Sequence, residues 1–292
     1  MITSLAAKAG VLCEALPYIS RYEGKTFVVK YGGAAQVDDD LKETFAQDVT
    51  LLKKIGIKVA IVHGGGKEVT ELAGRLGLES RFVDGQRYTD GPMMDVVQMV
   101  LAGKTNKDIV GRINRHDGDA AGVSGIDARL LTVKKLDSNG TDLGFVGEIT
   151  GVNTAYLNLL LDHGIMPVIA PVGVNEQGQA HNVNADVAAS AIAAALKAEK
   201  LVFLSDVEGV MTDSGLVHSM DEEDAERLLH AKIINNGMIP KIRSAFTALR
   251  AGVNKVHLID GRIHHSILLE IFTDTGVGTE LVLRSLKTTL EV

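Results

Sequence analysis

Three times in this chain an apolar run rich in β-branched residues ends on glycine: FVVKYGG at residues 27–33, VAIVHGGG at 59–66 and LVFLSDVEG at 201–209. Short continuous apolar runs read as buried strands. Between the first two lies a helical pattern from about Leu41 to Ile55, closed by Gly56. Strand, helix and strand in that order form a β-α-β unit, so the strands run parallel and helices cover the sheet. A second helix over Lys67 to Leu76 follows the HGGG segment, with Val69, Leu72 and Leu76 facing inward. Thirty-one glycines against five prolines, with no tryptophan, suit the strand-to-helix turns of an α/β sheet better than a β sandwich.

With 292 residues, 46% of them hydrophobic, the chain can bury the core of one large α/β domain or of two closely packed lobes. A net charge of −7 and a pI near 5.7 argue against general nucleic-acid affinity, which rests on surplus Lys and Arg spread over a face. Any anionic substrate must then be held by local groups. Cys13 is the single cysteine, so no internal disulfide is expected. No charged segment followed by an apolar one opens the chain, and every apolar run is interrupted before the ~18–20 residues needed to cross a bilayer. The expected location is the cytoplasm, or an organelle for a mature chain, with no membrane or nucleic-acid partner.

Ahead of the first strand, Leu5, Val11, Leu12, Leu16 and Ile19 recur at helical spacing over 4–22, an amphipathic helix that should pack on something. Residues 118–153 alternate short β-rich pieces with Asn-Gly and Asp-x-x-Gly turns, which predicts hairpins. The α/β rhythm then returns: a helix at 156–162, the strand IMPVIAP, a hairpin-like VNEQGQ, an alanine-rich helix, helices near 221–230 and 240–251, and the strand KVHLID. No linker separates the two halves, so one continuous sheet is expected. QMVLAGKT at 98–105 ends like a nucleotide-binding P-loop, but Gln98 stands where glycine is required and the segment continues an apolar helical pattern. A helix end capped near Gly103 is the expected structure there.

In parallel sheets ligands collect beyond the carboxyl ends of strands, where bare amides at helix N-termini attract anions. Lys30 stands at such an end beside Gly32 and Gly33, and Gly64–Gly66 follow the next strand. HNVNADVAAS at 181–190 supplies a helix N-cap from Asn184 or Asp186. Lys241 follows Pro240 at another helix start, where the dipole disfavours a cation, so a negative partner is expected. Each lysine taken alone reads as a solvated cation and Asp186 as a helix cap; taken together, the economical alternative is two lysines converging on a phosphate and arranged by Asp186. His63, just before glycines, is expected to be a structural histidine bonded at the turn.

The segments VVKYGG, VHGGGKEV, DLGFVGEI, NVNAD, SDVEGV, NNGMIPK and LLEIFTDTGVGT occur together and in this order over nearly the whole chain. In this the chain resembles the N-acetylglutamate kinases of the amino-acid-kinase family. The resemblance implies an open, mostly parallel eight-stranded sheet sandwiched between helices, with a protruding N-terminal helix. It implies one domain over 1–292 composed of an oligomerisation helix at 1–22, an acyl-amino-acid lobe at 23–180 and an ATP lobe at 181–292. The implied reaction is ATP-dependent phosphorylation of the γ-carboxylate of N-acetyl-L-glutamate, with Mg2+ on the ATP phosphates and no protein-held metal.

Matched position by position, Lys30 and Lys241 are the phosphoryl-stabilising lysines and Asp186 their organiser. Gly65, Gly66, Arg87 and Asn182 contact the acetylated amino acid, Arg87 through the bidentate fork that suits an α-carboxylate. Gly32 and Gly33 face phosphate, and Ser205, Asp206, Val207, Glu208, Gly209 and Val210 form a nucleotide loop. The EALPYISRYEGK helix and the tail resemble arginine-inhibited members of the family that interlace into homohexamers. There His265, Glu270, Gly276 and Gly278, with Tyr18 and Lys200, would form the arginine site, and a PII-type signal protein is a possible partner. Ile126 in GVSGIDARL replaces a lysine common among relatives, so no charge-dependent role falls to that loop. The alternatives are another carboxylate or phosphate kinase of the same fold, or a catalytically silent arginine sensor.

Overall fold

In the computed structural model, which describes residues 2–36, 38–83, 85–138, 140–234 and 237–283, the FVVKY run lies in the interior of a large sheet. In chain order the first half comprises α1 (Ile2–Tyr22), β1 (Thr26–Tyr31), α2 (Asp39–Lys54), β2 (Lys58–His63), α3 (Gly66–Arg75), the short β3 (Phe82–Val83) and β4 (Gln86–Arg87), α4 (Gly91–Gln98), α5 (Asn106–Arg115), β5 (Ala120–Ser124), β6 (Leu131–Lys135) and β7 (Gly147–Val152). There follow α6 (Thr154–Asp162), β8 (Met166–Ala170), β9 (Val172–Val174), β10 (Ala180–Asn182), α7 (Ala185–Ala195), β11 (Lys200–Ser205), β12 (Met211–Thr212), β13 (Gly215–Leu216) and β14 (Ser219–Met220). The chain continues through α8 (Glu222–His230), α9 (Ile239–Arg250), β15 (Lys255–Asp260), α10 (Ser266–Ile271) and β16 (Thr279–Leu281). Asn139, Asn235 and Asn236, which belong to two of the sequence motifs, and the side chains of Leu5 and Leu12 lie outside the described residues.

The main sheet has eight strands in the order β14-β16-β15-β11-β1-β2-β8-β5, so both halves of the chain share it as expected. From β15 to β5 every pairing is parallel, and only the β15–β16 contact is antiparallel. β1 alternates between two buried faces. Val28 packs with Ala188, Ala189, Phe203 and Ala245 under α7 and α9. Phe27 and Val29 pack with Phe45, Val49, Leu52 and Ile113 under α2 and α5. The alanines of α7 let its backbone lie close to the sheet, which places its first turn over the end of β1.

Three expectations need correction. Leu76 does not face inward: it is the C-cap just past α3 and is 56% exposed. Ala120–Ser124 is no hairpin strand but the parallel edge of the main sheet; β6 and β7 of that region pair as antiparallel neighbours, and Ser138 and Thr141 form a further antiparallel bridge across the Asn-Gly segment. The helix does not end near Gly103: π-helical turns over Met99–Thr105 join α4 to α5 without a break. A helical glycine costs only about 1 kcal/mol, and the buried Val100, Leu101, Ile109 and Ile113 outweigh it. In α1 the last turn packs through Tyr22, edge-on to Phe27, while Val11 and Leu16 are 65% and 55% exposed. The helix therefore packs at its last turns and exposes residues further toward its N-terminus, in keeping with the protruding helix that the resemblance implies.

Candidate active site

Registry sets the site. Lys30 lies opposite Val62 of β2 and Phe203 of β11, so the three glycine-bearing strand ends open side by side on one edge of the sheet. Asn184 is the cap of α7, its Oδ1 accepting from the amides of Asp186 and Val187 at 2.8 and 3.2 Å. Asp186 is thus free for other partners. Lys30 Nζ stands 2.9 Å from Asp186 Oδ1, and Lys241 Nζ donates to Asp186 Oδ2 at 2.7 Å. The misplaced cation at the start of α9 has found its counter-charge on the neighbouring helix.

These groups are nearly removed from water: Lys30 is 8% exposed. Burial pulls its ammonium below the ordinary lysine value, while Asp186 pulls the other way. Burial raises the Asp186 carboxyl, but the two ammonium groups outweigh it and hold the acid below its usual range. Two lysine side chains thus share one carboxylate. Glycine beside it leaves room for the ammonium. A Cβ on Gly32 would stand 2.6 Å from Lys30 Nζ, and Gly33, at φ +71°, lies under the Asp206 carboxylate.

At the end of β2, Gly64 donates to Tyr31 O at 2.9 Å, tying the two strand ends together. Gly65 caps α3 at φ +155° without a side-chain hydrogen bond, leaving that N-terminus for an anion. His63 is fully buried, bonds Gly64 O through Nδ1 at 2.7 Å and is pushed down to about 4 by burial, so it is a neutral structural group as expected. Arg87 arrives on the β3–β4 hairpin under the exposed ring of Phe82. It donates to Ser80 Oγ, Gly66 O and Thr70 Oγ1, and burial lowers its pKa. Among the described residues it pairs with no carboxylate. Asn182 bonds Thr89 Oγ1 at 3.2 Å.

Three adjoining cavities follow the strand ends. One of about 230 Å³ is walled by Gly64–Gly66, Arg87 and Asn182. The next, about 630 Å³, shares the glycines and Arg87 and adds Lys30, Gly32 and Gly33. The third, about 270 Å³, shares Lys30 and Gly33 and adds Ser205–Val207 and Lys241. Lys30 therefore stands where the second and third cavities meet. Glu208 is exposed, and Gly209 and Val210 are anchored at Thr279, whose Oγ1 accepts from the Val210 amide. Those three positions shape the loop without lining the cavity. The partners Ser80, Thr70 and Thr89 had no signal in the sequence.

The six regulatory candidates do not form one cluster. Lys200 Nζ donates to His257 Nε2 at 2.8 Å, His257 Nδ1 bonds Glu270 Oε1 at 2.7 Å, and Glu270 Oε2 accepts from the amides of Val277 and Gly278. Gly276 lies against the same carboxylate. Burial lowers Lys200 to about 8. Tyr18 instead bonds Asp274 at an open cavity of about 600 Å³ between α1 and the tail. His265 turns away to Asp48, at 2.6 Å. Ile126 packs on the apolar cluster around Met94 and Val97, in keeping with its lack of charge.

A parallel sheet with glycine-lined strand ends and paired lysines defines a protein built to hold phosphate groups. The sequence profile of the amino acid kinase family matches residues 25–260. Acetylglutamate kinase from Chlorobaculum tepidum is 55% identical over 93% of this chain and 95% of its own length. The enzyme of that name from Aquifex aeolicus is 52% identical over 97% and 100%. Among solved structures, N-acetylglutamate synthase from Neisseria gonorrhoeae complexed with coenzyme A and N-acetyl-glutamate superposes with a TM-score of 0.85 at 28% identity. That match covers 94% of this chain and 63% of the synthase; the same synthase complexed with coenzyme A and L-arginine gives 0.80 at 28%, covering 94% and 65%. The chain belongs to the amino acid kinase family, and within it to the acetylglutamate kinases.

Proposed function

We propose that the protein transfers the γ-phosphoryl group of ATP to the side-chain carboxylate of N-acetyl-L-glutamate, a step of arginine biosynthesis. The supporting observation is the meeting of Lys30 and Lys241 on Asp186 where the cavities adjoin. A glutamate-type carboxyl, with a pKa of about 4.3, is already an anion at neutral pH. No general base is needed. The protein has to align acceptor and phosphorus and neutralise charge on the equatorial oxygens of the transferring group. Lys30 and Lys241 are the groups placed for this, with glycine amides from the strand ends.

A preorganised donor of this kind is worth about 3–4 kcal/mol in the transition state. Arg87 and Asn182 bind the acetylated amino acid, and Ser205–Val207 flank the nucleotide. Mg2+ would neutralise the β- and γ-phosphate oxygens. Asp186 has both oxygens engaged by ammonium groups, so the ion would ride on the nucleotide. Residues 23–180 act as the acceptor lobe and 181–292 as the nucleotide lobe, with Asn182 reaching across.

Arginine is proposed as inhibitor, at the surfaces where α1 meets the tail; Tyr18 and Asp274 at an open cavity support this. The exposed Val11 and Leu16 support assembly through α1 into a hexamer. The test is coupled ADP release with N-acetyl-L-glutamate and with glutamate, each with and without arginine. Release that depends on the acetylated acceptor and falls with arginine supports both proposals. No release with that acceptor refutes the first, and release indifferent to arginine refutes the second.

A further inference from the structure

Beneath the glycine loop runs a buried chain of hydrogen bonds that the reaction does not use directly. Asn106, first residue of α5 after the π-helical turns, is fully buried under the end of β2. Its Oδ1 accepts from Lys107 Nζ at 3.0 Å, and its Nδ2 stands 2.9 Å from Val168 O and 3.1 Å from His63 Nε2. Gly122 leaves the room: a Cβ there would stand 1.9 Å from Asn106 Oδ1. The orientation of the amide is fixed by its neighbours, because turning it over would set NH2 against an ammonium and oxygen against a carbonyl. His63 Nε2 must therefore accept, the ring proton sits on Nδ1, and Nδ1–H donates to Gly64 O. In a trans peptide the C=O and the following N–H point in opposite directions. Drawing the Gly64 carbonyl down to a buried ring turns the Gly65 amide up into the crevice.

We propose that Asn106 is a positioning residue for phosphoryl transfer, selecting the His63 tautomer that aims the Gly65 amide at the transferring group. Its kinetic consequence rests on the carboxylate-kinase reading; the tautomer itself does not. The groups around His63 are few. Lys107 on α5 is the charged one, and its ammonium and burial both oppose protonation of the ring. On β1, Tyr31 is opposite His63, and burial keeps its phenol neutral. Gln36 and the Val168 carbonyl carry no charge.

Two measurements test this. In 15N-histidine-labelled wild-type protein, with His63 among nine histidines found by difference against His63→Gln, Nδ1 should be protonated and Nε2 bare from pH 6 to 8. An Nε2–H ring or an imidazolium at pH 7 overturns the proposal, with no variant of Asn106 required. Asn106→Asp turns the donor into an acceptor, so the neutral ring must place its proton on Nε2 and release Gly64, whereas imidazolium keeps both N–H groups. Relative to wild type, its kcat should fall by about tenfold or more as pH rises from 6 to 9.5, with the KM for ATP little changed. A folded Asn106→Asp protein with wild-type kcat at pH 9.5, or with a loss independent of pH, overturns it. Wild-type protein inert toward N-acetyl-L-glutamate would instead refute the proposed activity and leave the tautomer result standing.

Discussion

Replacing Gly32 by alanine separates the placement of Lys30 from its presence. Gly32 is not among the positive-φ glycines, so its backbone accepts a side chain. The new Cβ would lie 2.6 Å from Lys30 Nζ and 3.0 Å from Cε. Non-bonded carbon contacts settle at 3.5–4.0 Å, so the ammonium must retreat by about 1 Å. It would then leave its 2.9 Å contact with Asp186. A displacement of that size at a reacting centre costs up to about 10²-fold in rate. The backbone gain of Gly→Ala, about 0.4–1 kcal/mol through the unfolded chain, is opposed by the loosened Lys30–Asp186 pair, so the fold should form while the urea midpoint reports the difference. Initial rates of ADP release at saturating substrates, with urea midpoints on the same preparations, measure both effects. A kcat within about threefold of wild type would show that the position of Lys30 does not matter. Gly33→Ala is the contrast: its positive φ and the overlap with Asp206 predict lost stability as well, by about 1–2 kcal/mol.

Lys30→Ala and Lys241→Ala should each lower kcat by about two orders of magnitude or more with modest change in the KM for ATP; near-full turnover in both would refute their role. Asp48, 2% exposed, is raised by burial to about 6, with His265 opposing the shift. A raised carboxyl binds its proton more tightly when folded, so the stability it contributes is present below pH 4 and lost as pH rises through 6. Denaturation from pH 4 to 7 should show Asp48→Asn gaining on wild type by up to about 3 kcal/mol, and a constant difference would contradict the shift. Deleting residues 1–16 spares the buried Tyr22 and should reduce a hexamer to a dimer and weaken arginine inhibition, read by elution mass and rate. An unchanged mass would remove α1 from the assembly.

Local patterns foretold the parts of the site whose signal is local. A glycine pair after an apolar run has few uses, and Lys241 at a helix start needs an anion; together these pointed to the crevice before any contact was known. The continuation of the helix past Gly103 was not legible, because a π-helical stretch buried by packing has the same composition as a frayed end. Nor was the edge role of Ala120–Ser124, which is decided by register with Met166–Ala170. Contacts such as His265 with Asp48, 217 positions apart, leave no periodic trace. Asn106 is the sharpest case: on the sequence it is one polar residue at the start of a largely polar helix, and its meaning lies in which atom of His63 it faces.

The shared carboxylate explains how a chain of net charge −7 can hold a cationic site together. Two unit charges at 4 Å repel by about 4 kcal/mol at an effective dielectric of 20, so bare lysines would spread apart or lose a proton. Asp186 offsets that repulsion and opposes the depression of Lys30 by burial. It does so without using up the donors, because each ammonium has three N–H groups, of which Lys241 gives Asp186 one while Lys30 stands beside its other oxygen as an ion pair. In the proposed reaction the remaining donors would meet phosphoryl oxygens, in a geometry set before substrate arrives. A site of two lysines alone would have to be assembled by its substrate at every turnover; with the acid between them, binding energy is left for the transition state.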